Sequence, residues 1–105
     1  MQNISKDQWK QLVNIDQSII LDVRTPKEWN EGIIPNAITL DFLNIESFKN
    51  QLTNLDINMT YFVYCRSGNR SSQACLLMDQ LGYKKTYNLN GGILSWDEAT
   101  IPYNS

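Results

Sequence analysis

Tyr61 to Gly82 reads YFVYCRSGNRSSQACLLMDQLG, and its three parts differ in kind. Tyr61-Phe62-Val63-Tyr64 is a run of β-favouring residues that ends at Cys65. Arg66-Ser67-Gly68-Asn69-Arg70 is polar and cationic, and Ser71 and Ser72 are candidate N-caps for the next helix. Ala74, Leu77, Met78 and Leu81 then recur at helical spacing until Gly82 supplies a stop. The stretch predicts strand, tight loop and helix, with a thiol where the strand ends.

That placement favours a thiolate. A loop curling into a helix N-terminus aims backbone N–H groups inward, and the helix dipole adds partial positive charge. Arg66 and Arg70 bring two guanidinium groups, of which only one need face the sulfur. Such settings lower a cysteine pKa from about 8.5 to roughly 3.5–7.5. Gly68 lets the backbone turn with positive φ or approach a bound anion closely. The cradle that holds S⁻ also suits a small oxyanion, so the stretch predicts a nucleophilic cysteine that meets an anion.

The chain contains no histidine, which removes Ser-His-Asp, Cys-His and most zinc chemistry. Cys65 must then be activated by backbone dipoles and arginine, with no metal and no organic cofactor. Cys65 and Cys75 make no C-x-x-C pair, and their expected positions on a loop and a following helix argue against a disulfide. A reducing compartment, the cytoplasm, is expected. The N-terminal MQNISKDQWKQLV has neither a basic region nor an apolar core, so no signal peptide is expected, and no apolar run is long enough for a membrane span. A net charge of −2 gives no pull toward nucleic acid or anionic membrane. The three arginines, Arg24, Arg66 and Arg70, nevertheless all fall in the segments singled out as site motifs.

Outward from the central stretch, strands and helices alternate. Ile4 is placed on a brief edge strand, and Ser5 to Val13 on a short helix striped by Trp9, Leu12 and Val13. SIILDV, Ser18 to Val23, is a continuous apolar run expected of a strand buried on both faces. Thr25-Pro26-Lys27-Glu28 matches a capping box with proline at the first helical position, and Gly32 ends that helix. Ile33 to Asn36 is a connector and Ala37 to Leu40 a short strand. Ile45, Phe48, Leu52 and Leu55 predict an amphipathic helix over Glu46 to Asn54, followed by a turn at Asp56 to Asn58. Thr86 to Leu89 is a strand, Asn90-Gly91-Gly92 a turn, and Ile93 to Ala99 a helix carrying Trp96. With 105 residues this makes one domain spanning residues 1–105. The alternation predicts an α/β fold of three layers, α/β/α, around a mostly parallel sheet.

Cys65 then lies at the carboxyl end of a central strand, where open α/β sheets place their sites. Asp22 and Arg24 stand at the carboxyl end of another strand. Asp22 either supports the loop, through Arg70 or backbone N–H groups, or belongs to a turn with Arg24. Arg24 either forms an electropositive entrance or pairs with Asp22 or Glu28. Cys75 is expected to be structural, Trp29 and Trp96 to be core and docking residues, and Gly91-Gly92 to serve a turn.

Three motifs in order, LDVRTPKEW, CRSGNRS and NLNGGILSW, resemble the rhodanese family of sulfurtransferases and span Ile20 to Trp96. The resemblance implies a five-stranded sheet in the order 3-2-4-5-1. It also implies that Cys65 carries a sulfane sulfur as a persulfide within a pocket of Arg66, Ser67, Gly68, Asn69, Arg70 and Ser71. The implied partners are a small sulfur-containing anion such as thiosulfate, a cyanide or thiol acceptor, or a persulfide-carrying protein. Two departures stand out: Ile33 where many members carry histidine, and Asn36 where many carry glycine. Two rival readings are a cysteine-dependent phosphatase or arsenate reductase, and a non-catalytic binding module. Cysteine phosphatases resemble one another in a C-x5-R loop; Cys65 and Arg70 bracket four residues, a smaller ring.

Overall fold

A computed structural model describes residues 1–13 and 17–104. The chain runs β1 (Gln2–Ile4), α1 (Lys6–Leu12), β2 (Ser18–Asp22), α2 (Pro26–Trp29), β3 (Ile38–Thr39), α3 (Ile45–Leu52), β4 (Thr60–Tyr64), α4 (Asn69–Gln80) and β5 (Lys85–Leu89), then a 3-10 turn over Gly92–Ser95. The strands form one sheet ordered β1-β5-β4-β2-β3, which is the expected 3-2-4-5-1 read from the other edge. Every strand pairing among the described residues is parallel. The fold is the expected three-layer α/β arrangement.

Side-chain alternation along β4 divides the core. Tyr61, Val63 and Cys65 point to one face, where Phe48 and Leu52 of α3 and Ala74, Cys75 and Met78 of α4 cover them. Phe62 and Tyr64 point to the other, against Trp9 of α1, with Tyr87, Leu89 and Trp96 nearby. Trp9 is fully buried and meets Phe62, Tyr64 and Trp96 edge-on, with ring centroids 5.3, 6.2 and 6.4 Å away. No helix among the described residues is long and apolar enough to cross a membrane.

The expected capping box at Thr25 is present, and α1 carries a second one at Ser5. The Ser5 hydroxyl accepts from Gln8 N–H at 3.2 Å while Gln8 accepts from Ser5 N–H at 2.9 Å, a reciprocal box. Glu28 reaches back to Thr25 N–H at 3.2 Å in the same way.

Three expectations need correction. First, α4 begins at Asn69, and its N-cap is Gly68 in the left-handed region at φ 103°. Ser71 and Ser72 therefore lie inside the first turn and cap nothing; the loop closes faster than two serines suggested because Gly68 supplies the turn. Second, α3 spans Ile45–Leu52, and Ile45, counted in its apolar stripe, stays exposed. Third, the expected helix from Ile93 to Ala99 is one 3-10 turn over Gly92–Ser95, left by Trp96 in extended backbone as its indole docks on Trp9.

Both departures from the family pattern fall on the connector before β3. Asn36 adopts φ 72°, a conformation that asparagine tolerates better than most residues and that glycine adopts freely. Ile33 is buried and exchanges backbone hydrogen bonds with Ile101 at 2.9 and 2.8 Å.

Candidate functional site

Cys65 directly follows β4 and its side chain is almost wholly buried. Gly68 N–H donates to the Cys65 sulfur at 3.1 Å and the Ser71 hydroxyl lies 3.3 Å from it. Burial pushes the thiol pKa up, but the Ser71 hydroxyl and the N–H groups of Ser71, Gly68 and Ser67 more than offset it. The net result lies below the ordinary cysteine value. The sulfur sits before the N-terminus of the twelve-residue α4, where the helix dipole adds to the same effect.

The loop residues divide by exposure. Arg66, Ser67 and Asn69 face solvent around the enclosed sulfur, whereas Gly68 and Ser71 are buried beneath them. Arg70 does not point freely into the loop. Its two terminal nitrogens donate to the two oxygens of Glu28 at 2.7 and 2.8 Å, a bidentate pair joining α4 to α2. Arg70 holds the Glu28 carboxyl down to about 2, with Thr25 assisting and burial opposing.

Of the alternatives left open, Asp22 takes the turn with Arg24, and Arg24 takes the pair with Asp22. Arg24 Nε lies 3.0 and 3.1 Å from the two Asp22 oxygens and Nη2 lies 2.7 Å from one of them, with Arg24 N–H 3.0 Å from the other. Nη2 also donates to Gly32 O at 2.7 Å. Both residues are buried, so Arg24 is not an entrance cation. Burial works against the Arg24 cation and the Asp22 carboxylate outweighs it. The Tyr64 hydroxyl donates to Asp22 at 2.6 Å and accepts from Ile34 N–H at 3.0 Å. The cluster ties the carboxyl ends of β2 and β4 to the connector ahead of β3. It supports the strand that delivers Cys65, and among the described residues no hydrogen bond joins it to the sulfur.

Three contributors escaped the sequence reading: Glu28 as the partner of Arg70, Gly92, and Asn88. Ile93 N–H donates to Cys65 O at 2.9 Å and Leu94 N–H to Arg66 O at 3.1 Å, so the turn after β5 braces the loop from behind. A Cβ on Gly92 would lie 2.3 Å from Arg66 O, at φ 62°, so the close approach needs glycine. Asn88 of β5 is buried and touches both Ser71 and Gly68. An asparagine inside a strand, where that residue type is depleted, was the available signal. Among the described residues no cluster of three or more metal-ligating side chains occurs.

The fold and loop make an α/β domain with one thiol enclosed by a backbone N–H and a hydroxyl ahead of a helix N-terminus. The sequence matches the model of the rhodanese-like domain over residues 5–99, and the chain belongs to that family. It is 34% identical over 93 residues to a protein named sulfurtransferase from Allochromatium vinosum, covering 89% of this chain and 84% of the relative. It is 33% identical over 105 residues to a putative sulfurtransferase from Bacillus subtilis, covering 99% and 98%. A tRNA uridine(34) hydroxylase of Pelagibacter ubique is 30% identical over 94 residues, covering 90% of this chain but 31% of that larger protein. The family thus serves more than one named activity. Among solved structures, a rhodanese-like domain protein from Staphylococcus aureus superposes with a TM-score of 0.85 at 29% identity, covering 99% of this chain and 100% of the other.

Proposed function

We propose that the protein is a rhodanese-type sulfurtransferase. It moves a sulfane sulfur from thiosulfate or a persulfide donor to cyanide or a thiol through a persulfide on Cys65. The observation that carries this reading is the Cys65 sulfur held by Gly68 N–H at 3.1 Å and flanked by Ser71 before the first turn of α4.

The Cys65 thiolate attacks the outer sulfur of thiosulfate. The S–S bond breaks and sulfite leaves with the bonding pair, giving Cys65–S–S⁻. Cyanide or an acceptor thiolate then attacks the terminal sulfur, and Cys65–S⁻ is regenerated with thiocyanate or a new persulfide as product. Both leaving groups are anions, so the cycle needs no general acid, in keeping with a chain without histidine. Loop N–H groups stabilise the anionic sulfur in both states. Arg66, exposed beside the sulfur, is the cation that meets the incoming oxyanion. A cytoplasmic setting keeps Cys65, a free thiol here, reduced.

Phosphatase chemistry fits less well. The carboxylates near the loop are engaged, Glu28 by Arg70 and Asp22 by Arg24 and Tyr64, which leaves neither as a ready acid for an alkoxide leaving group.

The test is incubation with thiosulfate, followed by intact mass and a cyanide-to-thiocyanate rate, beside Cys65→Ser. The expected result is one added sulfur that cyanide removes and that Cys65→Ser never acquires. No adduct on a free thiol, with turnover of an aryl phosphate instead, would replace this reading by the phosphatase one.

A further inference from the structure

The Ser71 hydroxyl carries one proton and faces two acceptors, the Cys65 sulfur at 3.3 Å and the Asn88 side-chain oxygen in a short contact. The orientation of Asn88 is set by its other contacts. Gly68 O, at 3.2 Å, can only accept, so the atom facing it is Nδ2 and the atom facing Ser71 is Oδ1. Nδ2 also lies 2.9 Å from Asn3 Oδ1 on β1. Asn88 pairs in register with Val63 of β4, two residues before Cys65, so its side chain shares the sulfur's face of the sheet. It is 3% exposed.

With Cys65 as a thiol, S–H donates to Ser71 and Ser71 donates to Asn88, so every group is satisfied. With Cys65 as a thiolate, the stronger charge-assisted bond draws the Ser71 proton to sulfur and strands the buried Asn88 oxygen. We propose that Asn88 is a positioning residue that competes with Cys65 for the Ser71 proton. By this competition it keeps the thiol less acidic than the loop alone would make it. The same device poises the sulfur between states: the hydroxyl turns to sulfur when charge is present and returns to Asn88 when it is not. Ser71 and Asn88 thus act together, and Asn88 never touches substrate. The inference rests on Cys65 being the nucleophile, but its measurement requires no turnover.

Thiolate absorbance near 240 nm is titrated in the native protein, Asn88→Leu, Ser71→Ala and the double variant, with Cys65→Ser as blank. The quantity read is the shift in the Cys65 acid dissociation constant caused by Asn88→Leu in the native background, compared with its shift when Ser71 is alanine. Competition predicts that Asn88→Leu makes Cys65 more acidic with Ser71 present than with Ser71 absent, by about two- to tenfold, the range one net hydrogen bond supports. Equal shifts in both backgrounds, or a difference of opposite sign, would mean that Asn88 only holds Gly68 in place, and would overturn the proposal. If Asn88→Leu does not fold, Asn88→Val, which suits a strand, makes the same comparison. A protein inert to thiosulfate that still shows the coupling would lose the sulfurtransferase reading and keep this one.

Discussion

Glu28 and Arg70 meet fork to fork across 42 positions of sequence, at 2.7 and 2.8 Å, and so fasten α2 to the first turn of α4. The pair sits at the rim of the loop with 17% and 22% of the side chains exposed. It neutralises one of the two arginines that the sequence placed around the sulfur, and leaves Arg66 as the exposed cation there. The electrostatics of the site therefore rest more on N–H groups than on guanidinium charge.

Glu28 has its pKa lowered to about 2 from an ordinary 4.5. Its contribution to stability is therefore complete above about 4.5 and lost as pH falls toward about 2. Glu28→Gln is expected to lower stability at pH 7 by about 1 to 2 kcal/mol, less than a fully buried pair would give because water screens it. Urea midpoints measured from pH 7 to pH 3 should fall more steeply in the native protein than in the variant. Parallel slopes would show that the pair contributes little.

The two cysteines should differ sharply toward an alkylating reagent. Cys65 has a lowered pKa, whereas burial pushes the Cys75 thiol up to about 12. Iodoacetamide at neutral pH is expected to label Cys65 alone in the folded protein and both after denaturation, as read by intact mass. The rate of native labelling should rise with pH to a midpoint below that of an ordinary thiol. Fast labelling of Cys75 in folded Cys65→Ser would contradict its placement among buried neighbours.

Gly92 and Gly82 both have positive φ, 62° and 96°, but only Gly92 has neighbours within reach of a Cβ. Gly92→Ala must displace the Arg66 carbonyl and is expected to cost about 2 to 4 kcal/mol and most sulfur-loading activity. Gly82→Ala carries the backbone penalty alone, about 1 kcal/mol, and should load sulfur normally. Equal activity in the two would mean that the loop tolerates a retreat of its backing turn.

Arg24→Ala leaves the fully buried Asp22 without its main partner. A loss of about 3 to 5 kcal/mol is expected, read as a fall in urea midpoint. Whatever fraction stays folded should keep a native KM for thiosulfate. A raised KM with unchanged stability would return Arg24 to the substrate path.

Patterns confined to a few residues were legible in the sequence: the apolar strands at Ser18–Asp22 and Thr60–Tyr64, the capping box from Thr25 to Glu28, and the loop at Cys65. What was not legible depends on partners far apart in sequence. The choice of Glu28 over Asp22 by Arg70 is fixed by how α2 lies against α4. The burial of Arg24 comes from the connector folding back so that Gly32 O meets its guanidinium. Local signals also misled when one glycine outweighed them, as Gly68 did over two candidate caps.

The loop's acidity is a property of the assembled sheet. The N–H groups behind it belong to Ile93 and Leu94, and the asparagine beside Ser71 is steadied by Asn3, so both ends of the sequence must be in place before the sulfur meets its full surroundings. In a chain still being made, or one denatured, Cys65 is an ordinary thiol, slow to react at neutral pH. The sulfur's acidity is thus acquired as the sheet closes, and an unassembled chain meets electrophiles with two ordinary thiols in place of one activated one.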